Sequence, residues 1–266
     1  QRIDGYLQSF LQEGKFSIAT KHSQAYVPAN KYQMLYFDQA VLQPTLTLID
    51  QIGKGQWQTK HQSSLNKISV AAKQFGYQTL LYRHLATGSE YIIFKEETFK
   101  NSGELLRHWG TYVLKVGGSS DYIVEVPMPL FEQNTFEFGS MLFEALDARA
   151  ILIAGTHPQA NSDGSSLLTS SQTPDSLFNL FHQGLLRHDQ HRAPFALQIR
   201  GFSPASSSSN EIIVAHFEYQ KPAAQRHPAL LSLKKTLQNQ GLPVLAVNSE
   251  EQRFVAKLNA QSRYTK

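Results

Sequence analysis

The chain has no cysteine among its 266 residues. Disulfides, thiolate metal ligands and cysteine nucleophiles are excluded by that fact, so a metal site would have to draw on His, Asp and Glu. Long apolar runs are also missing. No stretch approaches the roughly 18 consecutive apolar residues that a membrane-spanning helix needs. Charge is modest and mixed, with 25 Lys and Arg against 21 Asp and Glu, a formal net charge of +4. The basic residues are scattered and never form a run of five or six, so the electrostatic footprint of nucleic-acid binding is lacking. HExxH, a GxSxG elbow and a Walker phosphate loop are absent too. Gly53-Lys54-Gly55 lacks both the third glycine and the preceding buried strand of a dinucleotide site. The first residue is Gln1 rather than Met, so the sequence begins either after a removed signal peptide or at an artificial boundary, and export to a periplasm or beyond the cell is the expectation under the first alternative.

What remains is ordinary globular material. Hydrophobic residues at 41% and charged residues at 17% are ordinary globular values, and disorder would need far more charge and fewer aromatics than the 16 Phe and 11 Tyr here. No linker interrupts the middle of the chain. One domain over residues 1–266 is therefore expected, with 1–60 as a possible N-terminal appendage. Residues 6–12 suggest a short helix and 32–37 (YQMLYF) a strand. Residues 64–75 have helical spacing, with Leu65, Ile68, Ala71 and Ala72 on one side, and Gly76 suits the helix end. Two hairpins are expected, 77–83 with 90–96 and 111–116 with 122–126 across Gly117-Gly118-Ser119-Ser120.

Helix and strand then alternate. Residues 135–147 predict an amphipathic helix with Phe138, Met141, Leu142, Ala145 and Leu146 on its apolar face. Residues 150–154 (AILIA) form a strand buried on both faces, and a helix follows at about 176–187. Strands are expected at 195–199, 211–217 and 243–247, with a helix at 228–240. The pattern predicts an α/β fold: a mixed, largely parallel sheet covered by helices on both faces, with β-hairpins toward the N-terminus.

Chemistry in such sheets collects in loops beyond the carboxyl ends of strands. Glu132, in Val126-Pro127-Met128-Pro129-Leu130-Phe131-Glu132, is a candidate metal ligand or acid–base group; its structural alternative is complementing the N-terminus of the next helix. His157, directly after AILIA, is a candidate base, electrophile or metal ligand that Asp163 could orient, or else a loop histidine followed by an Asx-turn. His182 lies on the 176–187 helix. His188 and His191, three apart, could share a metal, but cationic groups suit a helix C-terminus regardless of function. Gln198 and Arg200 end a strand, where Arg200 could clamp a carboxylate or phosphate. His216 and Glu218 close the following strand. Asn259 and Gln261 offer amides for a polar ligand.

The order VPxPxxE before a helix, LIAGTH, an FH-bearing helix, QIxGF and a late LNxQ resembles the zinc carboxypeptidase and N-formylglutamate-amidohydrolase group, including its poly-γ-glutamate-hydrolase-like branch. The likeness is loose and spans about residues 110–265. It implies an α/β fold, one zinc held by two His and a Glu, and hydrolysis of an amide by zinc-activated water. Glu132 fits the carboxylate ligand. Where the two histidines would fall, this sequence has Met128 and Arg200, a soft thioether and a cation, neither suited to catalytic zinc.

Three readings follow. In the first, an exported metallo-amidase or peptidase takes its zinc ligands from Glu132, His157, His182 and His216. In the second, a non-catalytic relative without metal binds a small or peptide-like ligand through Arg200, Gln198, Asn259 and Gln261. The third is metal-independent hydrolysis by His157 with Asp163.

Overall fold

A computed structural model of the chain describes residues 1–97, 107–169, 175–188, 194–201, 212–215, 228–239, 241 and 244–247. The chain divides into two compact units, Gln1–Gly201 and Phe202–Lys266, where the lack of a visible linker favoured one domain. The first unit contains strands β1 (Arg2–Gly5), β2 (Tyr77–His84), β3 (Glu90–Glu96), β4 (Thr111–Val116), β5 (Tyr122–Val126), β6 (Ala150–Ile153) and β7 (Phe195–Gln198). Its helices are α1 (Leu7–Gly14), α2 (Lys31–Phe37), α3 (Gln43–Ile52), α4 (Gln62–Lys73), α5 (Thr135–Ala145) and α6 (Leu177–His188). In the second unit, β8 (Ile212–Ala215) and β9 (Val244–Val247) pair in parallel, with α7 (Pro228–Asn239) between them in sequence.

The seven strands form one mixed sheet in the order β1-β2-β3-β4-β6-β5-β7. β1 runs parallel to β2, and β5 parallel to both β6 and β7; β2–β3, β3–β4 and β4–β6 are antiparallel. Alternation along the strands sorts their side chains into two cores. Ile92, Phe94, Leu114 and Leu152 face Phe37, Leu42, Leu65 and Phe181, which come from the helical N-terminal segment and α6. Ile93, Val113, Val124 and Ile151 face Leu7 and Leu11 of α1 and Phe136 and Phe143 of α5. Helices thus cover both faces. The first 60 residues belong to this body, because Leu7, Phe37, Val41 and Leu46 are fully buried in it.

Three expectations are corrected. Residues 31–37 are helical, started by a reciprocal capping box in which the Asn30 side chain accepts from the Gln33 N–H and Gln33 from the Asn30 N–H, each at 2.9 Å. That helix continues through a π-helical turn at Asp38–Leu42 into α3. The turn lies immediately before Pro44, whose ring and missing N–H do not fit an unbroken α-helical ladder.

Second, β4 and β5 are not a hairpin, because β6 inserts between them. Arg149, leading into β6, donates its N–H to Tyr122 O and accepts from Lys115 N–H. The fully apolar Ala150–Ile153 segment thereby gains a neighbour on each edge and a core on each face.

Third, α5 turns a different side inward. Phe136, Gly139, Ser140 and Phe143 are buried, whereas Phe138 and Met141 are 46% and 58% exposed. Gly139 selects this face: a Cβ there would lie 2.5 Å from Val126 Cγ2, so only glycine lets the helix settle this close to β5.

Candidate functional site

The mutually parallel strands β6, β5 and β7 adjoin in that order, so their carboxyl ends open on the same edge of the sheet. His157 follows β6, Met128–Glu132 follow β5, and Arg200 follows β7. Such an edge is where α/β sheets place ligands.

Glu132 and Arg200 meet there. Arg200 Nε donates to both carboxylate oxygens of Glu132, at 2.9 and 3.2 Å, and its guanidinium also lies 2.9 Å from Oε1 through Nη2. The same Nη2 is 3.5 Å from Met128 Sδ. Gly201 N–H donates to Glu132 Oε2 at 2.9 Å. Position 201 is close-packed against the acid, since a Cβ there would lie 3.0 Å from Glu132 Cβ. The acid is sealed, with 7% of its side chain exposed, while the Arg200 side chain keeps 38% exposed.

Behind this pair runs a second polar layer. Arg200 Nη1 donates to Gln198 Oε1 at 3.4 Å, and Gln198 Nε2 donates to Glu125 Oε2 at 3.2 Å. Glu125 Oε1 lies 2.5 Å from His182 Nδ1, with both side chains 1% exposed. His182 therefore answers a buried carboxylate, and Glu132 answers a guanidinium. They do not form the shared ligand set expected of them. Glu125 escaped the sequence reading, although its signal was available: it has the parity of Ile123 in YIVEV, so its carboxylate points into the face covered by α6 and needs a partner there.

His157 is buried. Its N–H donates to Ala19 O at 2.8 Å, and its Nδ1 accepts from Gln159 N–H at 2.9 Å. The neutral ring must then carry its proton on Nε2. Burial, followed by the charges of Lys21 and His22, pulls its pKa below the ordinary 6.5. The ring meets Phe131 edge-on, with centroids 5.3 Å apart.

Asp163 does not orient it. That carboxylate accepts from Ser165 N–H and Oγ at 2.9 and 2.6 Å, and these bonds hold its pKa below the usual value. His188 pairs with Asp50 at 2.6 Å, a helix-end role. His191, His216, Glu218, Asn259 and Gln261 lie outside the described residues.

No protein-family model, curated protein or solved structure matches the chain. The zinc implied by the resemblance must therefore be tested on these residues alone, and they do not fit it. Both Glu132 oxygens are engaged by Arg200 and Gly201, Met128 offers only a thioether, and Arg200 is a cation that would repel a metal. Among the described residues, no three His, Asp or Glu side chains are grouped to hold a metal ion.

Proposed function

We propose that this chain is a ligand-binding protein on an amidohydrolase-like α/β unit, with Arg200 rather than a metal presented to a peptide-like ligand. The supporting observation is the Arg200–Glu132 pair beside Met128, where the resemblance would place zinc. Nε and Nη2 of Arg200 hold Glu132, and Nη1 touches Gln198. Nη2 also reaches Met128 Sδ, which leaves one Nη1 hydrogen without a partner among the described residues, and the side chain is partly exposed. A planar guanidinium of this kind suits a carboxylate or a peptide carbonyl.

The same arrangement argues for binding over hydrolysis. A guanidinium can polarise a carbonyl, but it stays protonated and cannot activate water as a base. Glu132, as its counter-ion, is not available for that task.

Two measurements test this reading. Untagged protein supplied with zinc is expected to retain no stoichiometric metal after dialysis; stoichiometric zinc that disappears in Glu132→Ala would overturn the proposal. N-acetyl-Ala-Ala should bind better than its C-terminal amide, and Arg200→Gln should weaken the acid by roughly tenfold or more, as expected for a charged hydrogen bond. Equal binding of acid and amide would also sink it.

A further inference from the structure

The loop after β6 is stitched to a segment near the N-terminus. Ala19 and Thr156 form a parallel bridge. Ala19 N–H donates to Gly155 O, His157 N–H to Ala19 O, His22 N–H to Gln159 O and Gln24 N–H to Ala160 O. His22 and Gln24 sit in this ladder at φ of +61° and +55°, a left-handed conformation that side chains other than glycine seldom adopt. Strain of this kind persists where the surrounding structure holds it, and it gathers at ligand clamps.

The ladder brings positive charge to His157. Lys21 and His22 are both exposed, and their charges act on the buried imidazole. Residues 17–27 contain no acid, and Asp163, the one acid in residues 155–166, is tied to Ser165. His157 Nδ1 accepts from Gln159, so Nε2–H is the ring's donor. Phe131 supplies an apolar wall against the ring. The ladder therefore sets Lys21 and His22 beside the His157 loop, whose ring presents one oriented N–H donor, and Asp163 is the one acid in these two segments.

We propose that His157, Lys21 and His22 form an oxyanion-binding subsite at the end of β6, taking a carboxylate or phosphoryl group. It is distinct from Arg200 at the end of β7 and does not depend on the reading given to that residue. β5 lies between β6 and β7, so the two strand ends are roughly 10 Å apart at two inter-strand spacings. A ligand using both would separate its two recognised groups by about three extended residues.

The test follows the His157 imidazole by nitrogen NMR in the intact protein, with sulfate or acetate added at constant ionic strength against chloride. A response to sulfate identifies a tetrahedral, phosphoryl-like ligand, and a response to acetate a carboxylate. In either case the His157 titration should move upward, because a bound anion favours the imidazolium. The double variant Lys21→Gln/His22→Asn alters two exposed side chains and keeps a residue tolerant of positive φ at 22. It should weaken the anion roughly five- to tenfold, as expected for exposed charge pairs, whereas Arg200→Gln should leave the response intact. The proposal is overturned if neither anion differs from chloride. It is equally overturned if Arg200→Gln abolishes the response while the Lys21/His22 variant retains it.

Discussion

Glu96 and Glu132 are both buried carboxylates at or just beyond strand ends, but they are held in opposite ways. Glu96 closes β3 and accepts from three consecutive backbone amides, Arg107 at 3.3 Å, His108 at 2.8 Å and Trp109. His108, at φ +57°, curves the chain so that these amides face one anion, the arrangement of a backbone nest. Such donors are part of the main chain and cannot leave. Glu132 accepts from one backbone amide and from the guanidinium of Arg200, a long side chain with 38% exposure. The first carboxylate is satisfied by fixed dipoles, the second by a charge that can reorient toward a ligand. A buried acid by itself is thus no mark of a functional site. What distinguishes the Glu132 end is a partner that is still accessible.

The sharpest way to break this contrast is to remove both acids in turn. Glu96→Ala leaves one buried and two half-buried amides without an acceptor, and each unsatisfied buried group costs about 1–3 kcal/mol. A loss of about 3–5 kcal/mol in urea unfolding is expected, allowing for some water entry. Glu132→Ala should cost less, about 1–2 kcal/mol, because a partly exposed guanidinium regains water. It should also tighten N-acetyl-Ala-Ala several-fold, since Arg200 no longer competes with an internal carboxylate. Equal destabilisation by the two variants would erase the distinction between a closed and an open carboxylate.

Much of the framework was legible from local pattern. Ala150–Ile153 reads as buried because it is uniformly apolar, and Leu65, Ile68, Ala71 and Ala72 mark the inner face of α4 by spacing alone. The failures share a cause, which is contact between distant parts of the chain. Nothing in Thr111–Val126 announces that β6 will enter between β4 and β5. The apolar stripe expected for α5 follows the i, i+3, i+4, i+7 spacing of its apolar residues, whereas the structure chooses by the bare Cα of Gly139 against Val126. The misreading of 32–37 is different, since Asn30 and Gln33 spell a capping box that local inspection can find. At the candidate site, the three strand ends were readable from the alternation of helix and strand. The pairing of Arg200 with Glu132, 68 residues apart, was not. Nor was the ladder that brings Lys21 and His22 to His157.

The smallest expected effect comes from proton linkage, and it has opposite signs at Glu96 and His157. Burial raises the Glu96 pKa above 4.5, and the backbone amides only partly offset it. Between 4.5 and that raised value the folded state keeps a proton that the unfolded state has released, so stability falls as pH rises through this window. The His157 pKa lies below 6.5 in the folded state. Its contribution is fully present above 6.5 and is lost as pH falls through the folded value, because protonation puts a charge on a buried ring near Lys21 and His22 and also turns Nδ1 from an acceptor for Gln159 N–H into a competing donor. Urea midpoints measured across this range should therefore show His157→Gln removing the loss on the acid side of 6.5. Glu96→Gln should remove the decline above 4.5. If His157→Gln leaves the shape of the profile unchanged, the imidazole is not held neutral by its loop, and the contrast between fixed dipoles and titrating charge must rest on the two carboxylates alone.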